Sequence, residues 1–167
     1  MAETIRQYKQ RILSYTQGRK PLAVQRATPS RLASLVRGRS RKRLARKPAP
    51  KKWSVAEILA HLADTEIVVG WRLRMALSKS GTPIQAYDQD LWAASGKYAR
   101  REPRQSLGLF RAVREANLRL LKSLSAKQWK QYGMHAERGR ESIADTARMI
   151  AGHDLNHLSQ IRRILEK

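Results

Sequence analysis

Apolar residues recur every three or four positions along most of the chain, which is the spacing of one face of an α-helix. The first such segment contains Ile5, Tyr8, Ile12 and Tyr15 and is closed by Gly18. No segment shows the sustained alternation of apolar and polar residues, bounded by hairpin turns, that is typical of strands. The pattern therefore predicts an all-α protein.

The next segment contains signals for a short helix followed by an extended stretch. Thr28 and Pro29 have the form of an N-cap with proline at the first helical position, which predicts a helix that runs to Val36 and is ended by Gly38. Residues 39–52 contain two prolines and are expected to form an extended arm. We therefore expect short N-terminal helices before the first long helix.

Three later helices have start signals in which a serine is followed, three residues on, by Glu, Gln or Asp. Such a capping box lets two side chains satisfy backbone N–H groups at the helix start. The pairs are Ser54 with Glu57, Ser125 with Gln128, and Ser142 with Asp145. The first pair predicts a long helix that ends near residue 81, the second a helix of one turn, and the third the C-terminal helix.

A further long helix is predicted from Pro103, between the two long capped helices. Its expected buried face consists of Leu107, Phe110, Val113, Asn117, Leu120, Leu121 and Leu124. Residues 84–102 have an irregular or only briefly helical pattern, and a loop containing His135 is expected before the C-terminal helix.

Polar residues interrupt the inward faces of two of these helices. His61 falls within the apolar face of the first long helix, and His153, Asp154 and His157 fall within that of the last. His153 and His157 are four residues apart, so they project from nearly the same face. With His61 from a neighbouring helix they would form three nitrogen ligands and leave coordination positions open for water or substrate. The pattern predicts a divalent metal site at His61, His153 and His157.

Several interpretations of these residues remain open at the level of sequence. Each histidine, taken alone, is as readily a hydrogen-bonded core residue, and the whole set is compatible with a metal site that has decayed into a packed core. Asp64 and Asp154 are candidates to orient a ligand imidazole or accept a proton, or are ordinary helix residues. Nitrogen ligands favour zinc or nickel and are also compatible with iron, cobalt and manganese.

The net charge of +22 is concentrated in the N-terminal third of the chain. Between Thr4 and Ala56 there are 16 Lys and Arg residues and no Asp or Glu, and nine of these cations lie within residues 37–52. Such a basic arm attracts phosphate backbones, anionic lipids or acidic partners. It lacks interleaved aromatic residues and any familiar nucleic-acid-binding motif, so it is equally typical of a solvated surface. A non-catalytic nucleic-acid-associated module is therefore an alternative function.

Composition limits the remaining possibilities. The chain has no cysteine, which excludes disulfides, thiolate ligands and a cysteine nucleophile. Its 167 residues suit one domain with a substantial core, and we expect a single domain over 1–167. It has no apolar run long enough for a membrane span, and residues 1–6 lack the apolar core of a secretory signal. A cytoplasmic protein is expected.

Two stretches of the chain resemble the two signatures of the DinB-like superfamily. Residues 46–66, ending Trp53-Ser54-Val55-Ala56-Glu57-Ile58-Leu59-Ala60-His61-Leu62-Ala63-Asp64-Thr65-Glu66 and followed by Trp71-Arg72-Leu73-Arg74, resemble the first signature. Residues 150–161, Ile-Ala-Gly-His-Asp-Leu-Asn-His-Leu-Ser-Gln-Ile, resemble the second. The likeness extends over roughly residues 28–165 and its motifs occur in the same order.

The resemblance implies a four-helix bundle with a long crossover connection, commonly a homodimer, with a divalent metal held by His61, His153 and His157. Members of known activity include transferases that couple low-molecular-weight thiols to electrophiles, and related hydrolases. The resemblance therefore implies a metal-dependent thiol transferase or hydrolase whose partners are a small thiol and an electrophilic substrate. The strong positive charge departs from what is usual in this superfamily.

Overall fold

The computed structural model describes residues 3–166, which form eight α-helices and one small sheet. The helices are α1 (Ile5–Ser14), α2 (Pro21–Val36), α3 (Arg41–Ala45), α4 (Val55–Ser78), α5 (Gln89–Ser95), α6 (Pro103–Lys122), α7 (Ala126–Trp129) and α8 (Ile143–Leu165). The strands are β1 (Thr82–Ile84), β2 (Tyr132–His135) and β3 (Gly139–Ser142), and a 3-10 turn spans Tyr98–Arg100.

Four long helices, α2, α4, α6 and α8, form a bundle. Helix α4 packs most extensively on α6 and α2 on α8, and contacts of α2 with α6 and of α4 with α8 close the ring. Helices α2 and α4, which are consecutive long helices in the chain, therefore lie diagonally opposite each other in the bundle. The same is true of α6 and α8. The predicted all-α four-helix bundle is confirmed, and α1 packs against α8 at its side.

Two apolar clusters at opposite ends of the bundle show the helix directions. One cluster joins Leu62 from the first half of α4 to Phe110 of α6 and Ile161 near the end of α8. The other joins Leu73 from the second half of α4 to Leu121 of α6 and to the start of α8. Helices α4 and α6 are therefore parallel, and α8 is antiparallel to both. The chain between α4 and α6 has to return along the bundle, which is the long crossover connection.

A three-stranded sheet at one end of the bundle was not expected from the sequence. Strand β1, in the crossover, pairs in parallel with β2, with Thr82 opposite Gly133, and β2 pairs in antiparallel fashion with β3. The prediction that the chain lacks strands is wrong at these segments. Each has only three or four residues, too few to show an alternating pattern, and each depends on pairing with a distant segment.

The helix predicted to begin at Thr28 is in fact the second half of α2. Helix α2 begins with Pro21 at its first position and continues through Pro29. Proline has no N–H to donate to the carbonyl four residues earlier, here that of Gln25. Arg114 of α6 fills that vacancy, because its Nη1 donates to the Gln25 carbonyl oxygen at 3.1 Å. The helix start was therefore predicted at the wrong proline, Pro29 instead of Pro21. The contact that allows Pro29 inside the helix comes from Arg114 of α6, which local sequence signals do not show.

The basic arm is also more ordered than predicted. Within it, Ser40 caps α3 by accepting a hydrogen bond from the Arg43 N–H, and Leu44 is buried in the core cluster with Leu62. The arm is therefore attached to the end of the bundle by a buried leucine, by the Arg43 hydrogen bond to the Leu165 carbonyl oxygen and by the Lys47–Glu57 ion pair. Its basic residues remain largely exposed, as their charge requires.

A buried polar layer separates the two apolar clusters. Arg114 lies at its centre and forms ion pairs with Glu66 at 2.8 Å and with both carboxylate oxygens of Asp154. Asn117 donates to the Glu66 carboxylate at 2.9 Å. The sequence pattern had placed Val113 on the buried face, whereas Val113 is only partly buried and Arg114 is 1 % exposed. The guanidinium is tolerated there because every charge in the layer has an opposite partner.

Replacing Gly152 by alanine is expected to destabilise the protein by about 1 to 3 kcal/mol. A Cβ atom at this position of α8 would lie 2.1 Å from the backbone carbonyl oxygen of Ile12, so α1 would have to move away. Gly108 on α6 is the matched control, because a Cβ atom there would meet nothing within 4 Å. Gly108→Ala should stabilise by up to about 1 kcal/mol through helix propensity. Urea denaturation followed by circular dichroism measures both, and equal effects would contradict the steric explanation.

None of the helices of residues 3–166 combines the length and the apolar composition that crossing a bilayer would require.

Candidate metal centre

Three histidines from two antiparallel helices meet inside the bundle. His61 projects from α4, and His153 and His157 project from neighbouring turns of α8. Both helices begin with the predicted capping boxes, Ser54 with Glu57 and Ser142 with Asp145. These caps fix where each helix starts, and hence which residues face the partner helix.

The three Nε2 atoms point toward a common centre. The Nε2 atom of His153 lies 3.1 Å from that of His61 and 3.1 Å from that of His157, and one ligand atom from each ring lies within 4.8 Å of the others. Metal–nitrogen bonds of about 2.0 to 2.1 Å place neighbouring ligand nitrogens roughly 2.9 to 3.4 Å apart. The observed separations around His153 therefore fit a single ion, and a small movement of His61 or His157 completes the set.

Burial keeps these imidazoles in the form that binds metals. It lowers the pKa of His61 and of His153 well below the usual value, and the neighbouring histidines lower both further. Burial also lowers the pKa of His157, to about 4, although Gln160 opposes this shift. The rings are therefore neutral at pH 7, and each can offer a lone pair to a cation.

Hydrogen bonds from neighbouring side chains orient the rings. Nδ1 of His157 lies 2.8 Å from Oε1 of Gln160, which can only accept, so Nδ1 carries the proton and the Nε2 lone pair faces the centre. The Thr65 hydroxyl lies beside the His61 ring and 3.0 Å from the Tyr87 hydroxyl. Trp53 packs against the other side of that ring, with centroids 4.9 Å apart.

A cavity of about 330 Å³ opens beside the cluster, with His61 and His153 in its lining. Its other polar lining residues include Tyr8, Thr65, Arg72, Tyr87, Glu137 and Arg138. Arg72 donates to the Gln85 carbonyl oxygen at 2.6 Å, while its buried Nε has no partner among residues 3–166. The open side of the histidine cluster thus faces a cavity of mixed polar and apolar lining that is large enough for a small molecule.

The two carboxylates considered as partners of a ligand imidazole have other roles. Asp154 is paired with Arg114 in the polar layer. Asp64 accepts hydrogen bonds from the Tyr98 hydroxyl at 2.8 Å and from Arg101 at 2.7 Å, and so holds the crossover against α4. Among the hydrogen bonds of residues 3–166, neither carboxylate contacts a ring of the cluster. The hypothesis that either orients a ligand is therefore wrong for this arrangement.

The fourth histidine lies outside the cluster. His135 ends β2, where its Nδ1 accepts from the Glu137 N–H at 3.2 Å and its buried Nε2 has no partner within residues 3–166. Burial, together with the nearby Arg138 and Arg72, lowers its pKa to about 4. It is therefore a neutral, buried histidine without a second imidazole beside it.

Sequence reasoning missed three polar residues around the site. Gln160 had a detectable signal, since it lies three residues after His157 on the same helix face. Tyr87 had none, because the crossover that carries it reaches the cavity only through the tertiary fold. Arg72 also had a signal, since it follows His61 by eleven residues, or about three turns of α4, and so lies on the same helix face. The three candidate ligands themselves are brought together as predicted.

Fold and site together define a helical-bundle protein with a buried three-histidine cluster beside a cavity. Comparison with known families gives the same class, since the sequence model of the DinB superfamily matches residues 25–161. The chain belongs to the DinB superfamily.

The chain is also similar to individual proteins that are named as candidate metal-dependent hydrolases. One from Oceanobacillus iheyensis is 24% identical over 133 residues, which covers 80% of this chain and 76% of the relative. YfiT from Bacillus subtilis is 24% identical over 162 residues, which covers 96% and 91%. The solved structure of YfiT, described as having an unusual four-helix bundle topology, superposes with a TM-score of 0.81 at 19% identity, covering 98% of this chain and 88% of that one.

Proposed function

We propose that the chain binds one divalent metal ion through His61, His153 and His157 and acts on a small molecule in the adjacent cavity. The observation that carries this proposal is the convergence of three neutral imidazoles, two of which, those of His61 and His153, line the adjacent cavity. The names of the relatives, candidate metal-dependent hydrolases, support the same class of chemistry. They do not favour the alternative of a non-catalytic nucleic-acid module.

The donor set suits zinc or nickel, and is also compatible with iron, cobalt and manganese. A divalent ion held there would act as a Lewis acid and lower the pKa of a water or thiol nucleophile. Gln160 would keep His157 in the tautomer that binds metal. Thr65 and Tyr87 would supply hydroxyl groups to orient a substrate, and Arg72 a fixed positive charge.

Two reactions follow from two possible nucleophiles in this cavity. Activated water would make the protein a hydrolase, as the relatives are named. A low-molecular-weight thiol would make it an S-transferase that joins the thiol sulfur to an electrophile. Because the chain has no cysteine, a sulfur nucleophile has to come from a small molecule.

Metal analysis tests the ligand assignment directly. Protein without a polyhistidine tag, dialysed against zinc or nickel and then metal-free buffer, should retain about one ion per chain, and His153→Ala should retain far less than the wild type. His135→Gln is the matched control, because His135 is also buried but lies outside the cluster. Absence of retained metal in the wild type, or equal loss in both variants, would contradict the proposal.

Activity assays separate the two reactions. The metal-loaded protein is incubated with activated esters and amides alone, and with electrophilic substrates plus small thiols. Hydrolysis without thiol identifies a hydrolase, whereas product that requires and incorporates the thiol identifies a transferase. Either activity should fall at least 100-fold in His153→Ala, because the metal-activated nucleophile is lost.

A further inference from the structure

A second concave surface lies between α2 and α8, and its lining differs from that of the metal cavity. It has a volume of about 810 Å³ and a floor of buried and partly buried leucines. Its polar lining consists of Arg19, Arg31, Arg162, Ser30, Ser34 and Ser159. We call this surface the α2/α8 groove.

All the charged side chains that line the α2/α8 groove are positive. Its lining contains three arginines and no Asp or Glu. None of the three guanidinium groups forms an ion pair with a carboxylate of residues 3–166. Elsewhere in this range, arginines such as Arg101 and Arg114 are paired with carboxylates. The groove therefore offers unneutralised cations to an anionic ligand.

The groove lies on the far side of α8 from the histidine cluster. Arg162 follows His153 by nine residues, which at about 100° per residue turns it half a revolution around the helix. Leu155 lies about 160° and Ser159 about 120° around the helix from His153. Changes on this surface can therefore be made without touching the metal ligands.

Cations of the arm extend this surface beyond the groove. The Arg39 guanidinium donates to the carbonyl oxygen of Leu35, itself a groove residue, at 3.3 Å. Arg43 donates to the carbonyl oxygen of Leu165, three residues beyond Arg162, at 3.1 Å. Helices α2 and α8 both end near these two arginines, so the basic arm and the groove form one continuous positive surface.

We propose that the α2/α8 groove and the adjoining arm bind the sugar–phosphate backbone of a nucleic-acid duplex. Guanidinium groups bind phosphates in a bidentate manner, and serine hydroxyls donate to phosphate oxygens. The lining has no aromatic side chain on which unpaired bases could stack, which disfavours a single strand. The surface is concave and lined by arginines and serines, which suits a ridge of phosphates better than a flat bilayer. This binding is independent of sequence and of the metal centre.

Fluorescence anisotropy with a labelled 20-base-pair DNA duplex tests the proposal on the full chain. Binding should weaken with salt, with a log–log slope of about −2.7 or steeper for at least three phosphates. The double variant Arg31→Glu with Arg162→Glu should reduce the magnitude of that slope by about 2 and weaken binding at least tenfold. The control is Arg104→Glu with Arg111→Glu on the exposed face of α6, which changes the net charge equally.

The outcomes separate a specific surface from a general effect of charge. Loss confined to the groove variant, with metal content and melting temperature unchanged, supports the proposal. Equal loss in the groove and α6 variants would show that net charge alone attracts the duplex, and would overturn it. So would absence of duplex binding by the wild type, or tighter binding to phosphatidylserine vesicles or polyglutamate than to the duplex at equal charge concentration.

Discussion

Replacing Arg114 by methionine is expected to lower the free energy of unfolding by about 3 to 5 kcal/mol. The substitution leaves Glu66 and Asp154 buried beside each other without a counter-charge, and removes the donor to the Gln25 carbonyl. In the wild type, burial raises the pKa of Asp154, and the Arg114 guanidinium opposes that rise. Chemical denaturation at pH 7.5 measures the loss.

Two comparisons distinguish loss of a buried charge from loss of packing. Adding Glu66→Gln and Asp154→Asn to Arg114→Met should restore part of the stability, because the layer is then neutral. Arg119→Met on the same helix removes an exposed ion pair with Glu115 and should cost less than about 1 kcal/mol. If Arg119→Met were as harmful as Arg114→Met, or the triple variant were the least stable, the explanation by buried charge would be wrong.

Divalent metal is expected to stabilise the wild type strongly. A ligand that binds only the folded state, at a free concentration 1,000 times its Kd, adds about 4 kcal/mol to the free energy of unfolding. The histidine cluster exists only in the folded protein, because His61 and His153 are 92 residues apart and belong to different helices. Thermal melting with EDTA and then with excess zinc or nickel should therefore show a rise of about 10 °C.

The same melting experiment on variants tests whether the cluster causes the effect. His153→Ala should melt at the same temperature with and without metal. His135→Gln should keep the full rise, since His135 is buried at the end of β2 and outside the cluster. An unchanged melting temperature of the wild type would instead support the interpretation that the cluster is a packed core without a bound ion.

The sequence predicted the long helices and the inward position of each histidine because both depend on local spacing. Capping boxes such as Ser54 with Glu57 involve residues three apart, and the helical period places His153 and His157 on one face. The inward position of His61 followed from the apolar face of α4. Periodicity alone does not choose the neighbouring helix, so the meeting of α4 with α8 rested on the resemblance to the DinB-like superfamily.

The features that the sequence did not predict depend on contacts between distant segments. The pairing of β1 with β2 joins residues about 50 apart, and neither strand is long enough to have a period of its own. The burial of Arg114 was not predicted, because a charged residue is seldom expected in a core. Its two counter-charges come from distant segments, α4 and α8. The 16-residue length of α2 depends on the same arginine.

The proline in the middle of α2 links the folding of that helix to the arrival of its neighbours. A peptide covering only residues 21–36 would lack the guanidinium that occupies the freed Gln25 carbonyl oxygen, and an interior proline costs an isolated helix about 3 kcal/mol. During synthesis, residues 21–36 emerge long before Arg114 does. Helix α2 should consequently remain frayed or bent at Pro29 until α6 docks, so that secondary structure there forms as a result of tertiary assembly.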